Sequence, residues 1–129
     1  MNDFVKKYDG KPLQDAGAYV SKEYQAFQNA MKRDLKRMAG EIGAAMLWFS
    51  KGHYDQSAMF ERNGHFAYMH YSGCIGDRST PALRETMTCL CRTAAHEKDY
   101  KGGRNNHCSY VEVQATLNRL LNEVHTKAF

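Results

Sequence analysis

The chain has 129 residues, 43% of them hydrophobic and 25% charged, close to ordinary globular usage. That balance excludes a disordered chain, a collagen-like repeat and a disulfide-stapled miniprotein, and the length suits one domain over residues 1–129. Eighteen Lys and Arg against fourteen Asp and Glu leave +4, which permits an acidic partner without demanding one.

No run of about 18 apolar residues occurs, Ile42 to Phe49 being the nearest, so no membrane span is expected. The opening Met1-Asn2-Asp3-Phe4-Val5-Lys6-Lys7 lacks an apolar signal core, and the expectation is a cytoplasmic protein. Asp9-Gly10 reads as a turn. From Ala18 onward Val20, Tyr24, Phe27, Met31, Leu35, Met38, Ile42, Ala45 and Phe49 recur every three or four residues. This spacing predicts one amphipathic helix of roughly 45 Å, ended by Gly52, with Gly40 and Gly43 marking a bend or a close approach. Lys32, Arg33, Lys36 and Arg37 form two rows flanking the side opposite Met31, Leu35 and Met38, either as a solvated surface or as a face that binds anions.

Asn63-Gly64 separates Ser57–Arg62 from His65–Tyr71, which predicts a two-residue type I′ hairpin. Pairing then sets Arg62 opposite His65, Phe60 opposite Ala67 and Ala58 opposite Met69. Ala58, Phe60, Ala67, Met69 and Tyr71 form the better core face. The other face, with Met59, Glu61, Phe66, Tyr68 and His70, is too aromatic for plain solvent surface; another element covers it or a partner does.

Thr80-Pro81 reads as the start of a second helix, with Leu83, Met87, Leu90 and Ala94 as its stripe to about Glu97. Asp99 to His107 breaks the chain. Ser109 and Glu112 then form a capping box for a last helix carrying Val113, Leu117, Leu120 and Val124. The fold predicted is α+β: a long N-terminal amphipathic helix, one β-hairpin forming a small antiparallel sheet, and two further helices.

The cysteines are Cys74, Cys89, Cys91 and Cys108. On a helix Cys89 and Cys91 point apart, and His65 with His70 or His107 with Cys108 lack a knuckle to complete a zinc site. Neither a metal, a cofactor nor thiol chemistry is expected. G-x-S-x-G, a P-loop and H-E-x-x-H are absent, so no enzyme is predicted. The Lys101-Gly102-Gly103-Arg104-Asn105 loop offers two readings: backbone N–H groups presented to an anion, or glycines that merely turn the chain.

Arg92-Thr93-Ala94, Lys98-Asp99-Tyr100 and Gly102-Gly103-Arg104-Asn105 together resemble a pattern in small proteins of phages and integrative elements of Gram-positive bacteria. The hairpin, with Phe60, Asn63-Gly64 and Tyr68, is similar to a segment preceding it there. Some small accessory proteins of such elements are anti-CRISPR inhibitors. The resemblance implies a non-enzymatic inhibitor that binds a host CRISPR effector, a Cas9-type nuclease or its guide RNA, in the bacterial cytoplasm. Lys32, Arg33, Lys36, Arg37 and Lys101 to Asn105 would then meet the partner, with Phe66, Tyr68 and His70 as an aromatic interface. The alternative is a small nucleic-acid-binding accessory protein. An Arg92–Asp99 contact is expected to hold the loop.

Overall fold

The computed structural model describes residues 3–8, 22–52, 55–72, 88–99 and 101–126. It corrects the expected fold in its proportions: the sheet dominates, with five antiparallel strands in the order β1-β2-β3-β4-β5. These are β1 (Ala45–Lys51), β2 (Asp55–Arg62), β3 (His65–Ser72), β4 (Thr88–Ala94) and β5 (Asn106–Ser109). Helices α1 (Asp3–Tyr8), α2 (Lys22–Glu41) and α3 (Val113–Leu120) share the core on one face of the sheet.

The long helix is therefore cut short. Gly43 has φ +70°, Ala44 N–H bonds the Ala39 carbonyl at 2.8 Å, and Gly43 N–H bonds the Gly40 carbonyl at 3.2 Å. These paired bonds are a Schellman ending, which satisfies the orphan carbonyls and turns the chain out of the helix. Residues 45–51 then run as a strand against β2. Their helical spacing is an imitation: the register slips between Met46 and Trp48, so a bulge at Leu47 puts Met46 and Phe49 on one face. Gly52 does not end a helix but opens the β1–β2 connection, its N–H bonding the Asp55 carbonyl at 2.8 Å.

The hairpin has the predicted register: Arg62 faces His65, Phe60 faces Ala67 and Ala58 faces Met69. Asn63 and Gly64 take φ 53° and 81°, the two positive values a type I′ turn requires. The second predicted helix is corrected too. Thr80, Pro81, Leu83 and Met87 lie outside the described residues, but Thr88–Ala94 is a strand between β3 and β5. Its alternation is visible in burial, with Cys89, Cys91 and Thr93 buried and Leu90 and Arg92 half-buried. At the last helix, Glu112 Oε1 accepts from both the N–H and the hydroxyl of Ser109 at 2.9 Å. The helix ends at Leu120, leaving Val124 81% exposed instead of on the core stripe.

Phe27, Met31, Leu35 and Met38 from α2 meet Phe60, Ala67, Met69 and Tyr71 from the sheet, all at most 2% exposed. Arg62 fastens the hairpin tip to both neighbouring elements. Its guanidinium donates to the Ile42 carbonyl (2.7 Å), to Asn118 Oδ1 and O (2.7 and 3.0 Å) and to Asn122 Oδ1 (2.9 Å). Among the described residues no helix is long and apolar enough to cross a membrane.

Phe60 is fully buried, so Phe60→Ala should destabilise the fold by about 3–5 kcal/mol in urea unfolding. A loss under about 1 kcal/mol would show the core face to be wrongly assigned. Ser109→Ala removes one partner of Glu112 and should cost ~1 kcal/mol by the same measurement.

Candidate functional site

The basic cluster stands on α2, whose opposite side is buried against the sheet. Lys32, Arg33 and Lys36 are exposed and have no acidic partner among the described residues. Arg37 differs from them. Its guanidinium binds Asp34 Oδ1 at 2.8 Å and Glu41 Oε2 at 2.9 Å, so it belongs to a structural network. Asp34 is 7% exposed and also accepts the Tyr110 hydroxyl at 2.7 Å. Burial, with the Asp34 charge beside it, raises the Tyr110 phenol well above its ordinary range. Gln114 donates to Glu41 at 2.8 Å, and that bond, with Arg37, holds the Glu41 carboxyl below its usual value.

Between α1 and α2 lies an open cleft of about 530 Å³. Phe4 and Tyr8 line it with aromatic rings, Lys7, Arg33 and Arg37 with cations, and Asp3 and Asp34 with carboxylates.

The Gly-Gly loop has a different role in the geometry. Arg92 and Asp99 do not pair as expected. Asp99 accepts backbone N–H bonds from Ala95 (2.8 Å), Gly102 (2.9 Å) and Lys101 (3.3 Å), whereas Arg92 Nε donates to Asn105 Oδ1 at 2.7 Å. Burial opposes ionisation of Asp99, but the three backbone donors outweigh it and lower its pKa. A Cβ on Gly102 would stand 2.6 Å from the Asp99 carboxylate, and one on Gly103 would stand 2.1 Å from the Thr93 carbonyl oxygen. Gly103 is therefore required by close approach to backbone, whereas at Gly102 the obstacle is the end of the Asp99 side chain. Arg104 is exposed and lines another cleft with Thr93, Asn106 and Arg119. The α2 cations and the 101–105 loop thus do not share one cleft.

The aromatic face is largely self-covered. Met59 is fully buried and Tyr68 only 8% exposed. Trp48 stands 6.2 Å from Tyr68, and Arg92 lies over the Tyr68 ring at 5.8 Å. Trp48 Nε1–H donates to the Glu97 carbonyl at 2.7 Å, drawing the turn after β4 over the sheet. Phe66 is half-buried, and His70 Nε2 is 3.0 Å from Asp55 Oδ2.

Sequence reasoning missed His125. Its Nδ1 is 3.1 Å from Thr93 Oγ1 and its Nε2 is 3.7 Å from Asp99 Oδ2. Hydroxyl, imidazole and carboxylate stand in the order of a hydrolase triad, but Thr93 is 8% exposed and Asp99 already serves three backbone donors. The trio clasps the C-terminal segment to the sheet. Nothing local in Val124-His125-Thr126 signals this, because the partners lie about thirty residues away. Among the described residues no group of three or more His, Cys, Asp or Glu side chains is placed to hold a metal ion.

Compared with protein families, curated proteins and solved structures, the chain matches none. The site must be read from its own chemistry.

Gly103→Ala forces a Cβ onto backbone and should destabilise the protein by more than about 2 kcal/mol. Gly40→Ala, which meets nothing within 4 Å on α2, should instead stabilise it by up to about 1 kcal/mol. Thermal unfolding of the two variants checks both signs. Equal effects would mean that the loop glycines are not held by packing.

Proposed function

We propose that the protein acts by stoichiometric binding, as a mobile-element inhibitor of anti-CRISPR type directed at a Cas9-type nuclease. The observation that carries this reading is the exposed cationic row of Lys32, Arg33 and Lys36 on a helix fixed to the sheet. Like charges one helical turn apart repel by a few tenths of a kcal/mol, a cost that a polyanionic partner turns into attraction. Guide-RNA phosphates or an acidic protein patch supply such a partner. The adjoining cleft, with Lys7 and Arg33 on its rim, extends the same surface. The Gly-Gly loop supports the reading indirectly, by holding the end of the sheet in shape.

The second reading, an accessory protein that binds nucleic acid directly, draws on the same cations and the net charge of +4. Ionic strength separates the two. A protein whose affinity comes from phosphate contacts loses it steeply between low and physiological salt, in proportion to the contacts made.

Replacing Lys32 and Lys36 by Glu removes two positive charges and adds two negative ones, taking the formal charge from +4 to zero. Inhibition of the nuclease should weaken by about tenfold or more with an unchanged circular dichroism spectrum. Retained inhibition by this variant would exclude the α2 face as the contact. Wild-type protein should titrate the nuclease to a fixed ratio, and inactivation of many targets per molecule would exclude binding as the mechanism.

A further inference from the structure

Pairing of β4 with β5 brings together three thiols that sequence spacing alone sets apart. Cys89 is the direct cross-strand partner of Cys108, and Cys91 is paired with Asn106 two positions along the ladder. Residues two apart on a strand share a face, so Cys89, Cys91 and Cys108 all point to the same side of the sheet. All three are free thiols. Cys89 and Cys91 are fully buried, whereas Cys108 is half-buried on a strand of only four residues.

We propose that Cys108 and Cys89 form a peroxide-reactive dithiol at this edge of the sheet, Cys108 taking the oxidant and Cys89 closing a cross-strand disulfide. Accessibility assigns the first role, since an oxidant in water reaches Cys108 before the two buried thiols. Backbone geometry assigns the second. Directly opposed residues of an antiparallel pair have Cα atoms about 4.5–5.5 Å apart, inside the roughly 4.4–6.8 Å that a disulfide spans. Cys91, although its thiol hydrogen-bonds Cys108, is diagonal to it, and diagonal neighbours have Cα atoms about 7–8 Å apart, too wide for an unstrained bridge.

Cys91 has a supporting part. Its thiol donates to the Cys108 sulfur, the largest of the influences that bring the Cys108 thiol down to about 7. Burial and the Glu112 carboxylate act against it, while Thr116 and the Arg119 guanidinium act with it. The same hydrogen bond, with burial, raises the Cys91 thiol, and burial raises Cys89. The three thiols are therefore differentiated: one ionises readily and two stay protonated.

The chemistry balances with hydrogen peroxide as the sole oxidant. The Cys108 thiolate attacks one peroxide oxygen, the O–O bond breaks, and Cys108 becomes a sulfenic acid as hydroxide leaves and takes up the thiol's proton. Cys89 sulfur then attacks the sulfenic sulfur; the S–S bond forms, the S–O bond breaks, and the departing hydroxide leaves with the Cys89 proton as water. Two thiols and one peroxide give one disulfide and two waters.

The test uses full-length protein carrying Cys74→Ser, so that the remaining thiol outside the described residues does not contribute. Treatment with hydrogen peroxide under native conditions should remove two titratable thiols per chain and two hydrogens from the intact mass. Peptide mapping should join the Cys89 and Cys108 peptides. A Cys91–Cys108 link, or a sulfinic Cys108 without a crosslink, would overturn the assignment. Cys108→Ser changes a half-exposed side chain and should fold; in it, Cys89 and Cys91 should resist peroxide at least tenfold longer than Cys108 does in its presence. Unchanged oxidation of Cys89 in that variant would equally overturn the proposal.

Discussion

The buried carboxylate of Asp34 ties the helical layer together. It sits on the inner side of α2 at 7% exposure and takes Arg37 on one oxygen and the Tyr110 hydroxyl on the other. A carboxylate this enclosed is costly to desolvate, and both oxygens must be satisfied for the arrangement to hold. That requirement fixes the start of α3 against the middle of α2, because Tyr110 lies in the short 3₁₀ turn leading into α3. Tyr110 in turn packs its ring against Phe4 and Tyr71, so α1 and the sheet depend on the same bond. Replacing Tyr110 by Phe would leave one oxygen of the buried Asp34 carboxylate unpaired, and replacing Asp34 would do the same to the buried Tyr110 hydroxyl, in either case a larger loss than the bond itself is worth.

How much of this could be read from the chain depended on how local each signal was. Asn63-Gly64 specified the hairpin and its register, since two residues that accept positive φ leave few other turns open. Ser109 and Glu112 likewise marked the entry to α3. The strand β1 was hidden by its own bulge, which makes a period of two look like a period near 3.6. The strand β4 was hidden by composition: its buried alternate positions are Cys89, Cys91 and Thr93, and small thiols add little to an apolar stripe. Its partner β5, Asn106–Ser109, resembles a loop by every local measure and is a strand only because β4 lies beside it.

The candidate binding surface shows the same division. Exposure of Lys32, Arg33 and Lys36 followed from the apolar stripe of α2 and was legible. The commitment of Arg37 was not, because Asp34 sits among charged residues as any solvated acid would. Charges that look equivalent in sequence thus divide into three available for a partner and one held by the fold. The loop residues divide in the opposite direction, since Asp99, Gly102 and Gly103 are consumed by their own backbone.

The Leu47 bulge has an effect beyond shaping the core. Among the described residues β1 is the outer strand of the sheet on its side, and an outer strand presents unpaired N–H and C=O groups to any chain that can align with them. The extra residue interrupts that row and adds local twist, so an incoming strand finds no straight seven-residue template. On the opposite side β5 supplies only four residues. Both described margins of the sheet are thus poor templates for strand addition.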